Sequence, residues 1–204
     1  MSDNAGAVNS ANFWEERYQA GQTGWDQGKA SAEFETLLAG PAAPAPGRVA
    51  VIGCGRGHDA RLFARHGFAV TGFDFAPSAV EAAKDLAARE GVDAEFVQAD
   101  IFALPERYAG AFDYVIERAC YCAIDPARRA EYVSAVAGML RPGGELIALF
   151  LVAGPPGGPP FSTDDAELRA LFGDAFALDR LEESLPATTG RGPGGGLFAR
   201  FRRA

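Results

Sequence analysis

The pattern of apolar and polar positions changes character near residue 48. Before it, "ANFWEERYQAGQTGWDQGKASAEFETLL" sets aromatic residues among charges. This predicts one short helix around 12–19, a turn at Gly21 to Gly24, and a second helix around 30–39. "AGPAAPAPG" (39–47) can continue neither helix, because proline fixes φ and lacks an amide donor. Residues 1–11 read as a disordered terminus, 12–47 as a helical segment with its linker, and 48–204 as one domain.

From Arg48 onward, short apolar runs alternate with helical periods. "RVAVI" predicts a first strand, followed by a glycine turn and a helix through "HDARLFARHG" that stops at Gly67. "FAVTGF" is a second strand. The next helix, "APSAVEAAKDLAAREG", has Pro77 in its first turn, Ser78 and Glu81 at capping spacing, and Gly91 as its stop. "AEFVQA" and "FDYVIE" predict strands three and four. Asp125 and Pro126 suit the start of a helix through "DPARRAEYVSAVAGML", then "RPGG" turns into a fifth strand, "ELIALFLV". "STDDAELRALFG" reads as a last helix, with Ser162 three residues before Asp165. "FALDRLEES" and "GGLFARFRR" close the chain as a strand pair joined by a polar, glycine-rich connection, with no room for a crossover helix.

The predicted fold is therefore α/β and Rossmann-like: a mostly parallel seven-stranded sheet with helices on both faces. A ligand belongs beyond the carboxyl ends of its first strands, where strand order reverses. Gly53 to Gly57, Asp74, Asp100 and the pair Glu117–Arg118 follow strands one to four and share that rim.

Alternating glycines at 53, 55 and 57 let the backbone approach a ligand and turn into a helix. A tight turn with no ligand would need them too. The functional reading gains from Asp74, 21 residues past Gly53, where a carboxylate can accept ribose hydroxyls. The dinucleotide fingerprint G-x-G-x-x-G fails here, because His58 occupies its last glycine position. A nucleoside ligand without phosphates fits better, and S-adenosylmethionine is the expected cofactor, leaving as S-adenosylhomocysteine. The loop would meet its methionine portion, Asp74 its ribose, and Asp100 with Ile101 its adenine, with Phe75 packing on the ring.

Composition narrows the partners. Twenty-seven acidic residues against 19 Lys and Arg give a formal charge of −8, and the basic residues are scattered apart from the final "FRRA". No nucleic-acid partner is expected from that pattern. No apolar run reaches the length of a membrane span, and the amino terminus lacks a secretory pattern, so the expected location is cytoplasmic and the expected partner a small molecule. Monomer and weak homodimer are not distinguishable. Cys54, Cys120, Cys122, His58 and His66 do not assemble four convergent zinc ligands, so no metal is expected. The cysteines read as buried and reduced.

Several segments together resemble the thiopurine S-methyltransferase family and the similar thiol and halide methyltransferases. They are "FWEERYQAGQTGW" (13–25), "GCGRGHD" (53–59), "TGFDFAPSAV" (71–80), "ADIFALP" (99–105), "FDYVIERACYCAIDP" (112–126), "MLRPGGELIALF" (139–150) and "GGPPFSTDDAELRALF" (157–172). The glycine loop and "LRPGG" are general to class I methyltransferases, whereas the aromatic amino-terminal segment, "ERACYCAIDP" and "GGPPF" are the specific part. The resemblance implies that the amino-terminal segment covers the cofactor as a lid, with Trp14, Tyr18 and Trp25 at the family's aromatic positions. It matches Gly53, Gly55, Asp74, Asp100 and Ile101 to cofactor contacts. Arg118 matches an arginine near cofactor and acceptor. Tyr18 stands where tryptophan is common, and Glu117 where aspartate is usual.

The expected chemistry is methyl transfer to a soft nucleophile, a thiol first, with halide or chalcogen anions adjacent. An ionised thiol needs orientation and water exclusion more than a general base. Arg118 would steady it, since a guanidinium cannot accept a proton. An O- or N-methyltransferase is the alternative, and a non-catalytic cofactor-binding protein is a further one.

Overall fold

The computed structural model describes residues 5–152, 157–184 and 195–204. Helices α1 (Ala11–Gln19) and α2 (Ala32–Ala39) precede β1 (Arg48–Ile52), α3 (His58–Arg65), β2 (Ala69–Asp74), α4 (Pro77–Glu90) and β3 (Glu95–Gln98). Then come α5 (Leu104–Tyr108), β4 (Phe112–Arg118), α6 (Arg129–Met139), β5 (Leu140–Leu151), α7 (Asp165–Phe172), β6 (Phe176–Ser184) and β7 (Gly196–Arg203). The strands form one sheet in the order β3-β2-β1-β4-β5-β7-β6. The first five are parallel, and β7 runs antiparallel to both β5 and β6.

Each face of the sheet carries its own core, as a doubly covered parallel sheet requires. One face buries Tyr121, Tyr132, Phe150, Phe172 and Phe201, with Phe172 stacked on Phe201 at 4.7 Å between ring centroids. The other buries Phe34, Phe63, Phe68 and Phe96. Phe34 comes from α2 and meets Phe63 edge-on at 5.7 Å. With Leu37 and Leu38 it makes α2 part of the core, so within the predicted 12–47 segment α1, the turn after it and the stretch up to the start of α2 face the rim, while the body of α2 does not.

Register sets the rim. Ile52 pairs with Phe73 on one side and Glu117 on the other, so Gly53, Asp74 and Arg118 stand abreast where three strands end. β1 and β4 are neighbours here, and this is the reversal of strand order where a ligand was expected.

Local details depart from expectation for identifiable reasons. Order starts before residue 11: Ala7–Asn9 form a 3-10 turn, with Val8 buried and its carbonyl accepting from Trp14 Nε1 at 3.0 Å. Ser78 does not cap α4. Its amide and hydroxyl both donate to the Glu15 carboxylate of α1, and Ala76 stands at the cap. Asp164, rather than Ser162, caps α7 by accepting from Glu167 N at 2.8 Å. The short α5 had no expectation, and "RPGG" lies inside β5, whose pairing with β4 shifts register between Phe112 and Tyr114. The connection between β6 and β7 falls at 185–194, outside the described residues.

Candidate active site

The glycine loop turns left-handed at each of its glycines, with φ of 56° at Gly53, 54° at Gly55 and 71° at Gly57. That region is strained for residues with a side chain. Their surroundings differ. A methyl group on Gly57 would lie 2.6 Å from the Phe96 ring, and one on Gly53 would lie 2.9 Å from the Cys120 side chain. A methyl group on Gly55 would meet only the Tyr18 hydroxyl, at 3.2 Å. Gly55 thus faces the open rim, and Gly57 faces the core.

Asp74 fastens the loop. Its Oδ2 accepts from Gly55 N at 2.8 Å and its Oδ1 from Ala76 N at 3.0 Å. The Phe75 amide also bonds to it, and a carboxylate has about four acceptor positions, so it is not saturated. Burial pushes the carboxyl upward, against the amides of Ala76 and Gly55. Across the rim, Asp100 caps the 3-10 turn Ile101–Ala103 by accepting from Phe102 N at 3.0 Å.

The roof comes from α1 and the turn after it. Trp25 meets Trp14 edge-on at 5.8 Å and Tyr18 at 5.7 Å, and its Nε1 donates to the Tyr18 hydroxyl at 3.4 Å. Burial and the Asp74 charge push the Tyr18 hydroxyl up, so it stays neutral. Asp26 latches this roof to the loop, receiving Arg56 Nη1 at 2.8 Å and lying 3.0 Å from His58 Nε2. Burial works against the Asp26 charge, but the Gly28 amide, His58 and Arg56 hold the carboxyl below its ordinary range. His58 is pushed down, by burial first.

Arg118 enters from the end of β4. Its Nε lies 2.7 Å from Asp59 Oδ2, an ion pair with neither of the acids adjacent to it on the rim. Glu117 points elsewhere. Fully buried, it accepts from Cys120 N at 3.3 Å, Tyr121 N at 2.6 Å and the Tyr132 hydroxyl at 3.1 Å. Burial raises its carboxyl to about 7.

One cavity of about 1380 Å³ gathers these groups. Trp14, Tyr18, Trp25, Gly53, Gly55, Asp74, Phe75, Asp100, Ile101 and Arg118 all line it. Gly57 and Glu117 do not: the first packs on Phe96, and the second spends its oxygens on the turn behind the site. Asp26, Lys29 and Asp59 also line the cavity and had no expected role. Asp59 had a sequence signal, an acid in the first turn of the helix after the loop, but its partners were not visible. Ile124, Phe150, Leu151, Pro159 and Pro160 form an apolar wall of the same cavity. Cys54, Cys120 and Cys122 line it as free thiols. Burial pushes all three thiols up, Cys122 to about 12, which keeps them neutral and weakly nucleophilic. Among the described residues no helix is long and apolar enough to cross a membrane.

The family model described as Thiopurine S-methyltransferase (TPMT) matches residues 9–188. A thiopurine S-methyltransferase of Xanthomonas campestris is 33% identical over 185 residues, covering 83% of this chain and 85% of that protein. Thiocyanate methyltransferase 1 of Brassica oleracea is 34% identical over 151 residues, 72% of this chain, which spans 66% of the plant protein's length. Among solved structures, the 1,6-didemethyltoxoflavin-N1-methyltransferase of Burkholderia thailandensis, with bound 1,6-didemethyltoxoflavin and S-adenosylhomocysteine, superposes with a TM-score of 0.78. That match covers 100% of this chain and 91% of the other at 20% identity, which establishes the fold alone.

Proposed function

The chain belongs to the thiopurine S-methyltransferase family of S-adenosylmethionine-dependent enzymes, and from that premise we propose that it methylates a small thiol bound in the rim cavity. The observation that carries the reading is the company Arg118 keeps. It lines the same cavity as Gly53, Gly55, Asp74 and Asp100, under an aromatic roof and beside an apolar wall.

The residues fit the cofactor. Gly55 offers backbone with no side chain in the way, a cradle that a Cβ would narrow against Tyr18. Asp74 keeps acceptor capacity for a ribose hydroxyl beyond the amides of Gly55, Phe75 and Ala76 that it holds. Asp100 and Ile101 stand for the adenine, with Phe75 against the ring. When bound, the cofactor supplies a methyl group on a positively charged sulfur.

Everything else falls to the chain. Trp14, Tyr18 and Trp25 exclude water and so strengthen the electrostatics beneath them. Arg118 uses its Nε on Asp59 and one Nη2 donor on the Lys29 carbonyl, and its remaining donors serve an anionic acceptor. No proton has to be taken by the protein when the acceptor arrives as a thiolate. His58 is accordingly occupied, between Asp26 and Arg61, rather than aimed as a base. The apolar wall suits the body of the thiol.

The test is S-adenosylhomocysteine release with an acidic aromatic thiol, iodide and a neutral phenol, in wild type and Arg118→Ala. The thiol should be the best acceptor. Arg118→Ala should lower kcat/KM for it by more than about tenfold, near 1.4 kcal/mol, and lower the phenol rate less. A phenol turned over faster than the thiol would replace this reading with O-methylation. Equal losses on both acceptors, with cofactor affinity falling in parallel, would remove Arg118 from the acceptor.

A further inference from the structure

Asp59 sits in the first turn of α3, immediately behind the glycine loop, and is only 7% exposed. Its two oxygens serve two different parts of the chain. Oδ1 accepts from Ser31 N at 2.8 Å, and Oδ2 pairs with Arg118 Nε at 2.7 Å. Arg118 in turn reaches the Lys29 carbonyl through Nη2 at 3.4 Å. The stretch from Lys29 to Ser31, the start of α3 and the end of β4 therefore meet at one carboxylate.

We propose that Asp59 is a positioning residue that aims the Arg118 guanidinium into the cavity and ties it to the backbone of the amino-terminal segment. Three observations converge on it. The carboxylate is anchored on a helix start and the arginine on a strand end, both rigid elements, which is what keeps a functional side chain in one geometry. The contact uses Nε, so it fixes the plane of the fork while leaving most of its donors for an acceptor. Ser31 is itself buried and caps α2, whose Phe34 and Leu37 lie in the core, so the second partner of Asp59 cannot drift. An ion pair of purely structural value would gain nothing from facing a cavity; this one, with Asp59 buried and Arg118 partly exposed, lines it from both sides.

The proposal rests on the methyl-transfer reading, and its test separates the two. Rates on an acidic aromatic thiol would be measured for Asp59→Asn, Arg118→Gln and the double variant, with S-adenosylmethionine affinity by calorimetry. Asn at 59 still accepts from Ser31 but no longer holds the guanidinium. The expected result is a loss of roughly tenfold in kcat/KM, carried mainly by KM, with cofactor affinity unchanged within about twofold. In the Arg118→Gln background the same change should cost less than about twofold. Losses that multiply instead would overturn the proposal.

A second readout needs no turnover. The Arg118 Nε–H should give a slowly exchanging NMR signal in wild type that disappears in Asp59→Asn; its persistence there would overturn the clamp. If Asp59→Asn does not fold, Ser31→Pro against Ser31→Ala decides. Ser31 has φ −70°, so proline fits, and the comparison isolates the amide donor from the cap. Ser31→Pro should lose more thiol turnover than Ser31→Ala, and equal activities would overturn the proposal. A wild type that shows the Arg118 signal but methylates no thiol would overturn the functional reading and leave the clamp intact.

Discussion

Two turns leave the sheet side by side, one after β1 and one after β4, and they solve the same backbone problem by different means. The turn after β1 enters the left-handed region three times and uses glycine each time, at 53, 55 and 57. The turn after β4 enters it once, at Ala119 with φ 60°, the one non-glycine residue to do so among those described. We attribute that conformation to Glu117, which gathers the amides of Cys120 and Tyr121 beneath the turn. One conformation is encoded by the residue that adopts it. The other is imposed by a neighbour, and it fixes the backbone next to Arg118.

Within the glycine turn, the largest effect should come from the position that touches no ligand. Gly57→Ala combines a left-handed alanine with a methyl group driven against the Phe96 ring. The two costs together should lower stability by roughly 2–4 kcal/mol. Gly55→Ala meets only the tip of Tyr18 and should lose about 1–2 kcal/mol, while weakening S-adenosylmethionine binding. Urea unfolding and calorimetry on both variants measure this. Equal destabilisation by the two would mean that Phe96 yields, and that the core-facing and rim-facing glycines are not distinct.

Glu117→Gln tests the other turn. It keeps the shape but places an NH₂ group against backbone donors, an unmet set of hydrogen bonds costing about 1–3 kcal/mol. The pH dependence has a definite sign. Burial raises the folded carboxyl from its ordinary 4.5 to about 7, so the folded state keeps a proton that the unfolded state releases across that window. Wild-type stability from this group therefore falls as pH rises from about 4.5 to about 7. The glutamine variant lacks that slope, so the gap between the two proteins should narrow toward neutral pH. A gap that widens would show that Glu117 is held as a carboxylate throughout.

This contrast explains what could be read in the sequence. The glycine loop and Asp74 were legible because their chemistry is local to strand ends whose order the alternating pattern already implied. Ten of the twelve expected site residues line one cavity: seven for that reason, and Trp14, Tyr18 and Trp25 through the family resemblance of the amino-terminal segment. Asp59, Asp26 and Glu117 depend on partners 28, 32 and 15 residues away, Ser31, His58 and Tyr132. Nothing in a linear pattern pairs them. Glu117 was placed at the cofactor because it ends a strand on the correct rim, yet alternation along β4 turns it away from the cavity that Arg118 faces. Ser78 illustrates the same limit: its capping spacing was sound, but Glu15, 63 residues earlier, supplied a charged acceptor for both of its donors.

The smallest effect is also the most direct test of imposed against encoded geometry. Ala119→Gly puts a glycine where the turn after β4 already is left-handed, making it resemble the turn after β1. Removing the strained Cβ should gain about 1 kcal/mol, and the freer unfolded chain should take back roughly 0.5–1 kcal/mol. The net change in wild type is thus expected within about 0.5 kcal/mol of zero. In the Glu117→Gln background, where the imposed support is weakened, the strain is no longer over-determined by its surroundings. There the same substitution should recover about 1 kcal/mol of the loss. Urea unfolding of wild type, the two single variants and the double variant closes the cycle. Coupling of that sign means that Glu117 holds Ala119 in place. If Ala119→Gly instead has the same effect in both backgrounds, the two residues act independently, and the Glu117 carboxylate supports Tyr132 and the core rather than the turn beside Arg118.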